Sequence, residues 1–220
     1  AEARRGEATT QNPLARLDHL VYAAPRLETA IDDLERRLGV RAVTGGSHAG
    51  EGTRNALLAL GPASYLEIVA PDPSQPAPGR PRWFGLDGLD APRLAAWAVR
   101  ETDLERAIAE ARRGGVALPD IASGNRRRPD GAALSWRFTD PHVLMENGLV
   151  PFFIDWGTTA HPARGAPRGT RLTDLHAEHP EPERLRDVLR RLRVPLAVEP
   201  SPRSALVATL EGPRGRVRLG

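Results

Sequence analysis

The chain contains no cysteine and no lysine. The first absence excludes a disulfide framework, a thiolate nucleophile and thiolate metal ligands. Both absences explain a sequence pI of about 10.3 on a formal net charge of only +3. With no lysine or cysteine titrating at high pH, a small arginine excess pushes the value up. Aromatic residues are scarce, at 5%. The one basic cluster, Arg126-Arg127-Arg128, has none beside it, and the other arginines mix with acids, as in DDLERRLG and RETDLERAIAEARRGG. Nucleic-acid recognition asks for a basic stripe with stacking or helix signatures, so no nucleic-acid partner is expected. No run of about 18 apolar residues is present to span a membrane. The opening AEARRGEATTQNP is polar and lacks an apolar h-region. It reads as part of a disordered lead-in over residues 1–15 and not as a signal peptide. A cytoplasmic location is the resulting expectation.

What is present is ordinary globular material. The 220 residues are 40% hydrophobic and 27% charged, enough to bury a core of normal size. Three segments show helical periodicity. Their apolar stripes are Leu27, Ala30, Ile31, Leu34 and Leu38; then Leu104, Ala107, Ile108 and Ala111; then Leu185, Val188, Leu189 and Leu192. Each follows i, i+3, i+4, i+7, one buried face of a helix. Thr102-x-x-Glu105 offers the second helix a capping box. Gly39 and Gly114-Gly115 stop the first two, and Pro180 and Pro182 suit the first turn of the third.

Strand-like runs precede the helices at 17–23, 94–99 and 171–177. Further runs follow them at 42–44, 55–60 and 65–69; at 116–118, 132–138 and 151–156; and at 196–198, 205–210 and 216–219. The order is β-α-β-β-β, three times. Two proline-rich stretches, DPSQPAPGRPRWFG and TTAHPARGAPRGT, separate units at 16–71, 93–157 and 171–220. The first two units match best, with Leu27, Ala30, Ile31 and Leu34 mapping onto Leu104, Ala107, Ile108 and Ala111. One residue stands out from the pattern. Glu67 lies inside the apolar run YLEIVAP, and a buried carboxylate is costly unless something pairs with it.

A tandem βαβββ unit with DH in its first strand and YLE in its fourth resembles the vicinal oxygen chelate superfamily. That group includes glyoxalase I, extradiol dioxygenases, methylmalonyl-CoA epimerase and the bleomycin-resistance proteins. The ordered motifs LDHLVYAA, GGSHAGEGTRNALLALG, YLEIVAP and PFFIDW resemble its glyoxalase-like branch. The resemblance implies an α+β fold of tandem βαβββ units forming a cup-shaped mixed sheet, with a shorter third βαβββ-like unit at the C-terminus. That unit would add sheet or cover an open edge, and its lack of a mate implies a homodimer. The resemblance also puts His19 and Glu67 at ligand positions for a divalent metal (Zn, Fe, Mn, Ni or Co). The rest of the ligand set departs from the pattern. Ala96 stands where a second histidine would sit, and Ile154 or Asp155 stands opposite the Glu67 position. Asp155 would supply a carboxylate if it points inward. Alternatively, His48 would complete a His-His-Glu set with open positions.

The activity so implied is that of a metal-dependent lyase, isomerase or dioxygenase. It would act on a small oxygenated substrate by bidentate chelation, with a carboxylate, Glu67 or Asp155, moving the proton. The alternative is a metal-free small-molecule binding or sequestering protein of the bleomycin-resistance type. Each residue also has a plainer reading. His19 beside Asp18 suits a hydrogen-bonded core histidine. Glu67 suits a salt bridge to a buried arginine such as Arg137, and His48 a Gly-rich turn. Thr53 and Asn55 would orient a ligand carbonyl or only bond backbone. Trp97, Trp136, Trp156, Phe152 and Phe153 are mostly core, with Trp97 and Trp156 candidates for an apolar ligand wall. Arg137 alternates to the face opposite Trp136 and Phe138, either toward solvent or toward a substrate carboxylate. His142, His161, His176 and His179 read as loop, linker and surface residues.

Overall fold

The computed structural model describes residues 14–220. Most of the expected lead-in therefore lies outside the described residues. Leu14, near its end, packs against the core and accepts a hydrogen bond from the Leu17 N–H.

The first unit is β1 (Leu17–Ala23), α1 (Leu27–Leu38), β2 (Val43–His48), β3 (Thr53–Gly61) and β4 (Ser64–Pro71). The second is β5 (Arg93–Arg100), α2 (Leu104–Arg113), β6 (Ile121–Arg127), β7 (Ala133–Thr139) and β8 (Phe152–Asp155). In each, the first strand runs parallel to the last. The two four-stranded halves then meet along both edges, through β1–β5 and β2–β6, and close an eight-stranded barrel. The expected cup is a curled sheet with no free edge.

The helices form where the apolar stripes predict. Leu27, Ala30, Ile31, Leu34 and Leu38 are all buried on α1, and Gly39 ends it in the left-handed conformation at φ 85°. Burying each of the larger side chains is worth about 1.5–3 kcal/mol. The cap of α2 is one residue later than the capping box predicts. Asp103, not Thr102, accepts the Arg106 N–H at 2.9 Å, its carboxylate satisfying a free amide of the first turn.

The strand placed at 116–118 is not one. Val116 and Leu118 are buried in the connection after α2, and the strand is the polar run IASGNRR of β6. Its closure against β2 is short, with Ser47 opposite Arg127. Gly46 makes this seam accessible. It holds φ 138°, and a Cβ there would overlap the Arg127 carbonyl.

The C-terminal unit has the expected element order: β9 (Arg171–His179), α3 (Pro182–Arg191), β10 (Ala197–Pro200), β11 (Ala205–Gly212) and β12 (Gly215–Leu219). Its strand order differs. β9 pairs in parallel with β10, the strand directly after the helix, and the sheet runs β10-β9-β11-β12. Four residues ending in proline can serve only as an edge, so β10 cannot form a seam as β2 and β6 do. The unit is a separate open sheet rather than an addition to the barrel. Its apolar face is covered within the chain: Leu175, Leu206, Leu210, Val217 and Leu219 share one core with Leu34 and Leu38 of α1. Among the described residues, no helix is long and apolar enough to cross a membrane.

Candidate functional site

Alternation along the strands points one residue in two into the barrel. The lumen is divided in character. The first unit supplies His19 (β1), His48 (β2), Asn55 (β3), and Tyr65 and Glu67 (β4). The second supplies Trp136, Phe138, Phe152, Ile154 and Trp156, with one cation, Arg126 of β6. The cavity they enclose is only about 30 Å³. That suffices for one or two waters or an ion.

The proline-rich linker closes one side. Asp72 knots its start, accepting from Ser47 Oγ at 2.7 Å, Gln75 Nε2 at 2.9 Å and the Ser74 N–H at 3.0 Å. Trp83 then meets the His48 ring edge-on, with centroids 5.2 Å apart. Its indole N–H donates to His142 Nδ1 at 2.9 Å, and His142 Nε2 stands 3.1 Å from Glu51. His142, read from sequence as a loop residue without a role, anchors this cover.

Glu67 is the hub. It is 8% exposed, with His19 Nε2 at 3.6 Å from Oε2 and His48 Nε2 at 3.7 Å from Oε1. Asn55 donates to Oε1 at 2.6 Å. Register explains the convergence, since Val21 pairs with Glu67 across β1–β4 and Leu57 with Glu67 across β3–β4.

The protonation of each ring follows from its other neighbours. Asp18, wholly buried, accepts from His19 Nδ1 at 2.8 Å and His161 Nε2 at 3.0 Å, with the Trp156 N–H at 3.2 Å. Burial pushes the Asp18 carboxyl up. The hydrogen bonds from His161 and His19 outweigh this and hold it well below the usual carboxylate range. An ionised Asp18 fixes the proton of His19 on Nδ1 and leaves Nε2 bare toward Glu67. His48 is set by a longer chain. Arg126, a donor only, bonds Asn55 Oδ1 at 2.9 Å. The Asn55 NH₂ must therefore face Glu67 and His48 Nε2, the latter at 3.4 Å. His48 Nε2 is thus unprotonated, and Nδ1 bonds Thr53 Oγ1 at 2.9 Å, directly across β2–β3. Burial pulls the His48 pKa down to about 4, against the opposing pull of Glu67.

This carries a pH prediction for the metal-free protein. In the unfolded chain His48 titrates near 6.5, and in the fold at about 4. As pH falls through that window the unfolded state binds the proton first. Between pH 7 and 4, stability falls by about 3 kcal/mol from this group; above 6.5 it has no effect. Urea unfolding of wild type and His48→Gln at both pH values checks it. Equal losses in the two proteins contradict the assignment.

Of the residues expected at the site, His19, His48, Asn55, Glu67 and Trp156 line the lumen, and Thr53 stands behind His48. Three others do not converge there. Trp97 points outward into the main core, donating to the Leu149 carbonyl at 2.9 Å. Arg137 is exposed and paired with Glu105 of α2. Asp155 faces away from the lumen and accepts the Gly157 N–H at 2.8 Å, so Ile154 occupies the inward position. Ala96, as the repeat predicts, belongs to the inner apolar cluster.

Tyr65, Trp83 and Phe84 also line the lumen unexpectedly, and the charged residue missed is Arg126, 4% exposed. The alternation Gly124, Arg126 on β6 would have placed it inward had the strand been recognised. Its space depends on Gly45, where a Cβ would overlap both the guanidinium and the Asn55 amide oxygen. Gly45→Ala is expected to break the Arg126–Asn55 bond and destabilise by about 1–3 kcal/mol. Thermal denaturation of the full chain measures it, and an unchanged melting temperature contradicts the packing.

The chain belongs to the glyoxalase-like domain family, whose sequence model matches residues 17–193, within the vicinal oxygen chelate superfamily. A hypothetical protein from Staphylococcus aureus has the same fold at 14% identity, over 92% of this chain and 84% of that one, with a TM-score of 0.61. Methylmalonyl-CoA epimerase from Mycobacterium tuberculosis is similar at 22% identity, over 67% and 91% of the two chains, with a TM-score of 0.40. The Streptomyces coelicolor methylmalonyl-CoA epimerase in complex with 2-nitronate-propionyl-CoA is similar at 20%, over 67% and 98%, with a TM-score of 0.42. No curated protein matches the chain significantly.

Proposed function

We propose that the barrel is the active site of a divalent-metal-dependent enzyme that moves a proton on a small oxygenated substrate, as a lyase or isomerase. One observation carries the reading. His19 Nε2, His48 Nε2 and the Glu67 carboxylate converge as acceptors, 3.6 and 3.7 Å apart at the two contacts, with the Asn55 NH₂ donating to Glu67 Oε1 and standing 3.4 Å from His48 Nε2. Three lone-pair-bearing groups in a buried site need an electrophile among them. Two imidazoles and a carboxylate suit Zn, Fe, Mn, Ni or Co. Among the described residues, no three His, Cys, Asp or Glu side chains lie close enough together to hold a metal ion as they stand, so the fit is one of donor chemistry alone.

A divalent ion held by His19, His48 and Glu67 would supply Lewis acidity, stabilising negative charge on substrate oxygen. The chain's own groups do the rest. Asp18 holds His19 in the tautomer that presents Nε2. Asn55 fixes the Glu67 carboxylate by bonding Oε1, which leaves Oε2 as the oxygen free to take a proton. The aromatic wall excludes water, which strengthens each of these interactions. That wall, Trp83, Trp136, Phe138 and Phe152 in particular, also favours a second reading, a metal-free binding protein for a small ligand. Elemental analysis of the purified full chain, with His19→Ala as control, separates the two. One divalent ion per chain, lost in the variant, is expected. An ion-free wild type after growth in metal-supplemented medium contradicts the enzyme reading.

A further inference from the structure

We propose that the substrate is a small organic acid whose carboxylate is bound by Arg126 at the neck of the barrel, its neighbouring oxygenated carbon facing Glu67. This rests on the reading of the lumen as an active site.

Arg126 is a buried cation with no carboxylate in direct contact; Glu67 acts on it from across Asn55. It is 4% exposed, and among the described residues it forms no ion pair within 4.0 Å. Its one side-chain hydrogen bond goes to the Asn55 amide oxygen. Removing a charge from water without a directly paired counter-ion costs several kcal/mol, and an amide dipole with a carboxylate beyond it recovers only part of it. Structural arginines at such depth are normally paired. The chain nonetheless makes room for this one through Gly45 and Gly46. A guanidinium has five donors in a fixed fork, and one is directed at Asn55. The rest of the group forms a wall common to two spaces. One is the inner lumen with His19, His48 and Glu67. The other is an outer mouth of about 330 Å³, where Arg128, Arg164 and His161 join it. The one carboxylate lining that mouth, Asp130, faces Arg128 at 3.4 Å. An anion entering there meets net positive charge and reaches Arg126 last.

Size and geometry name the anion. The inner space admits little more than an ion or a water, so the charged head stops at the neck. A planar carboxylate matches the fork in a bidentate manner. From there the linked bonds Arg126–Asn55 at 2.9 Å and Asn55–Glu67 at 2.6 Å bring the carbon beside the carboxylate toward Glu67. An oxygen on that carbon, as in a 2-hydroxy or 2-oxo acid, would face the two imidazoles.

Calorimetric titration of the metal-supplemented full chain with lactate and pyruvate tests this. Lactamide serves as the neutral isostere and inorganic phosphate as the other anion, with wild type, Arg126→Gln and Arg126→Lys compared. Saturable binding of an acid at millimolar concentration is expected, with lactamide at least tenfold weaker. Arg126→Gln should lose at least tenfold in affinity and Arg126→Lys should recover part of it, with metal content unchanged in both. If Arg126→Gln fails to fold, the Arg126→Lys loss carries the test. Equal binding of lactate and lactamide, equal binding by wild type and variants, or preference for phosphate overturns the proposal. Wild type that holds metal but binds neither acid contradicts this proposal alone. Wild type that binds lactate through Arg126 without metal contradicts the metal reading alone.

Discussion

Asp18→Ala is expected to destabilise the protein by about 3–5 kcal/mol, the cost of breaking a buried charged network by removing one partner. Asp18 has no exposed surface, and its two oxygens accept from His19, His161 and the Trp156 indole. Truncation leaves all three without a partner in a dry site. The network also ties β1 of the first unit to residues beyond β8 of the second, so its loss loosens the barrel closure. A domain of this kind has only about 5–15 kcal/mol in total, so the variant sits near unfolding. Asp18→Asn keeps the shape and separates stability from tautomer control. It should remain folded yet bind divalent metal about 10–100-fold more weakly, since an amide no longer forces the His19 proton onto Nδ1. Urea unfolding and metal titration measure the two effects. A loss below about 1 kcal/mol in Asp18→Ala contradicts the network.

Glu67→Gln is expected to act in the opposite sense on stability. The carboxylate lies between two unprotonated imidazole nitrogens with no cation in direct contact, Arg126 reaching it only through Asn55, and burying it so is unfavourable. A glutamine of the same shape keeps its oxygen toward the Asn55 NH₂ and presents its own NH₂, at the Oε2 position, to His19 Nε2. The metal-free variant should therefore be as stable as wild type or more so, a trade common at functional sites. Its affinity for a divalent metal should fall by at least about 100-fold, because an anionic ligand becomes neutral. With a substrate in hand, turnover should fall by about 10²–10⁴, the usual worth of a positioned proton-moving group. Destabilisation of Glu67→Gln with metal affinity retained would mark Glu67 as a structural residue.

The repeated βαβββ units are legible in the sequence because the outer face of the barrel obeys simple periodicity, while their pairing into a cup follows only from the family resemblance. The stripe Leu27, Ala30, Ile31, Leu34 repeats in α2, and each stripe packs on strands whose outer faces are apolar. The first-unit residues of the lumen were legible because polar side chains in an apolar strand stand out, as Glu67 does in YLEIVAP. The second unit was harder. Both faces of β5 are buried, so nothing in RLAAWAVR tells inward from outward, and only the fold decides between core and ligand wall for Trp97, in favour of the core. β6 gave no apolar alternation at all, since its inward residues are Gly124 and Arg126. The apolar pair Val116 and Leu118 drew the strand to a connection, and Arg126 went unread with it. Trp83 and Phe84 were visible as the apolar end of a linker, but only the folded chain brings Trp83 against His48. The C-terminal unit kept the element order of its neighbours while changing its pairing, which element order alone does not encode.

The central claim is that His19, His48 and Glu67 together hold one divalent ion. Crystals of the full chain grown with zinc and measured at the zinc absorption edge test it most directly. The account predicts one anomalous peak inside the barrel, about 2.0–2.2 Å from His19 Nε2, His48 Nε2 and a Glu67 oxygen. A barrel with no peak, or a peak that omits either imidazole, would contradict it.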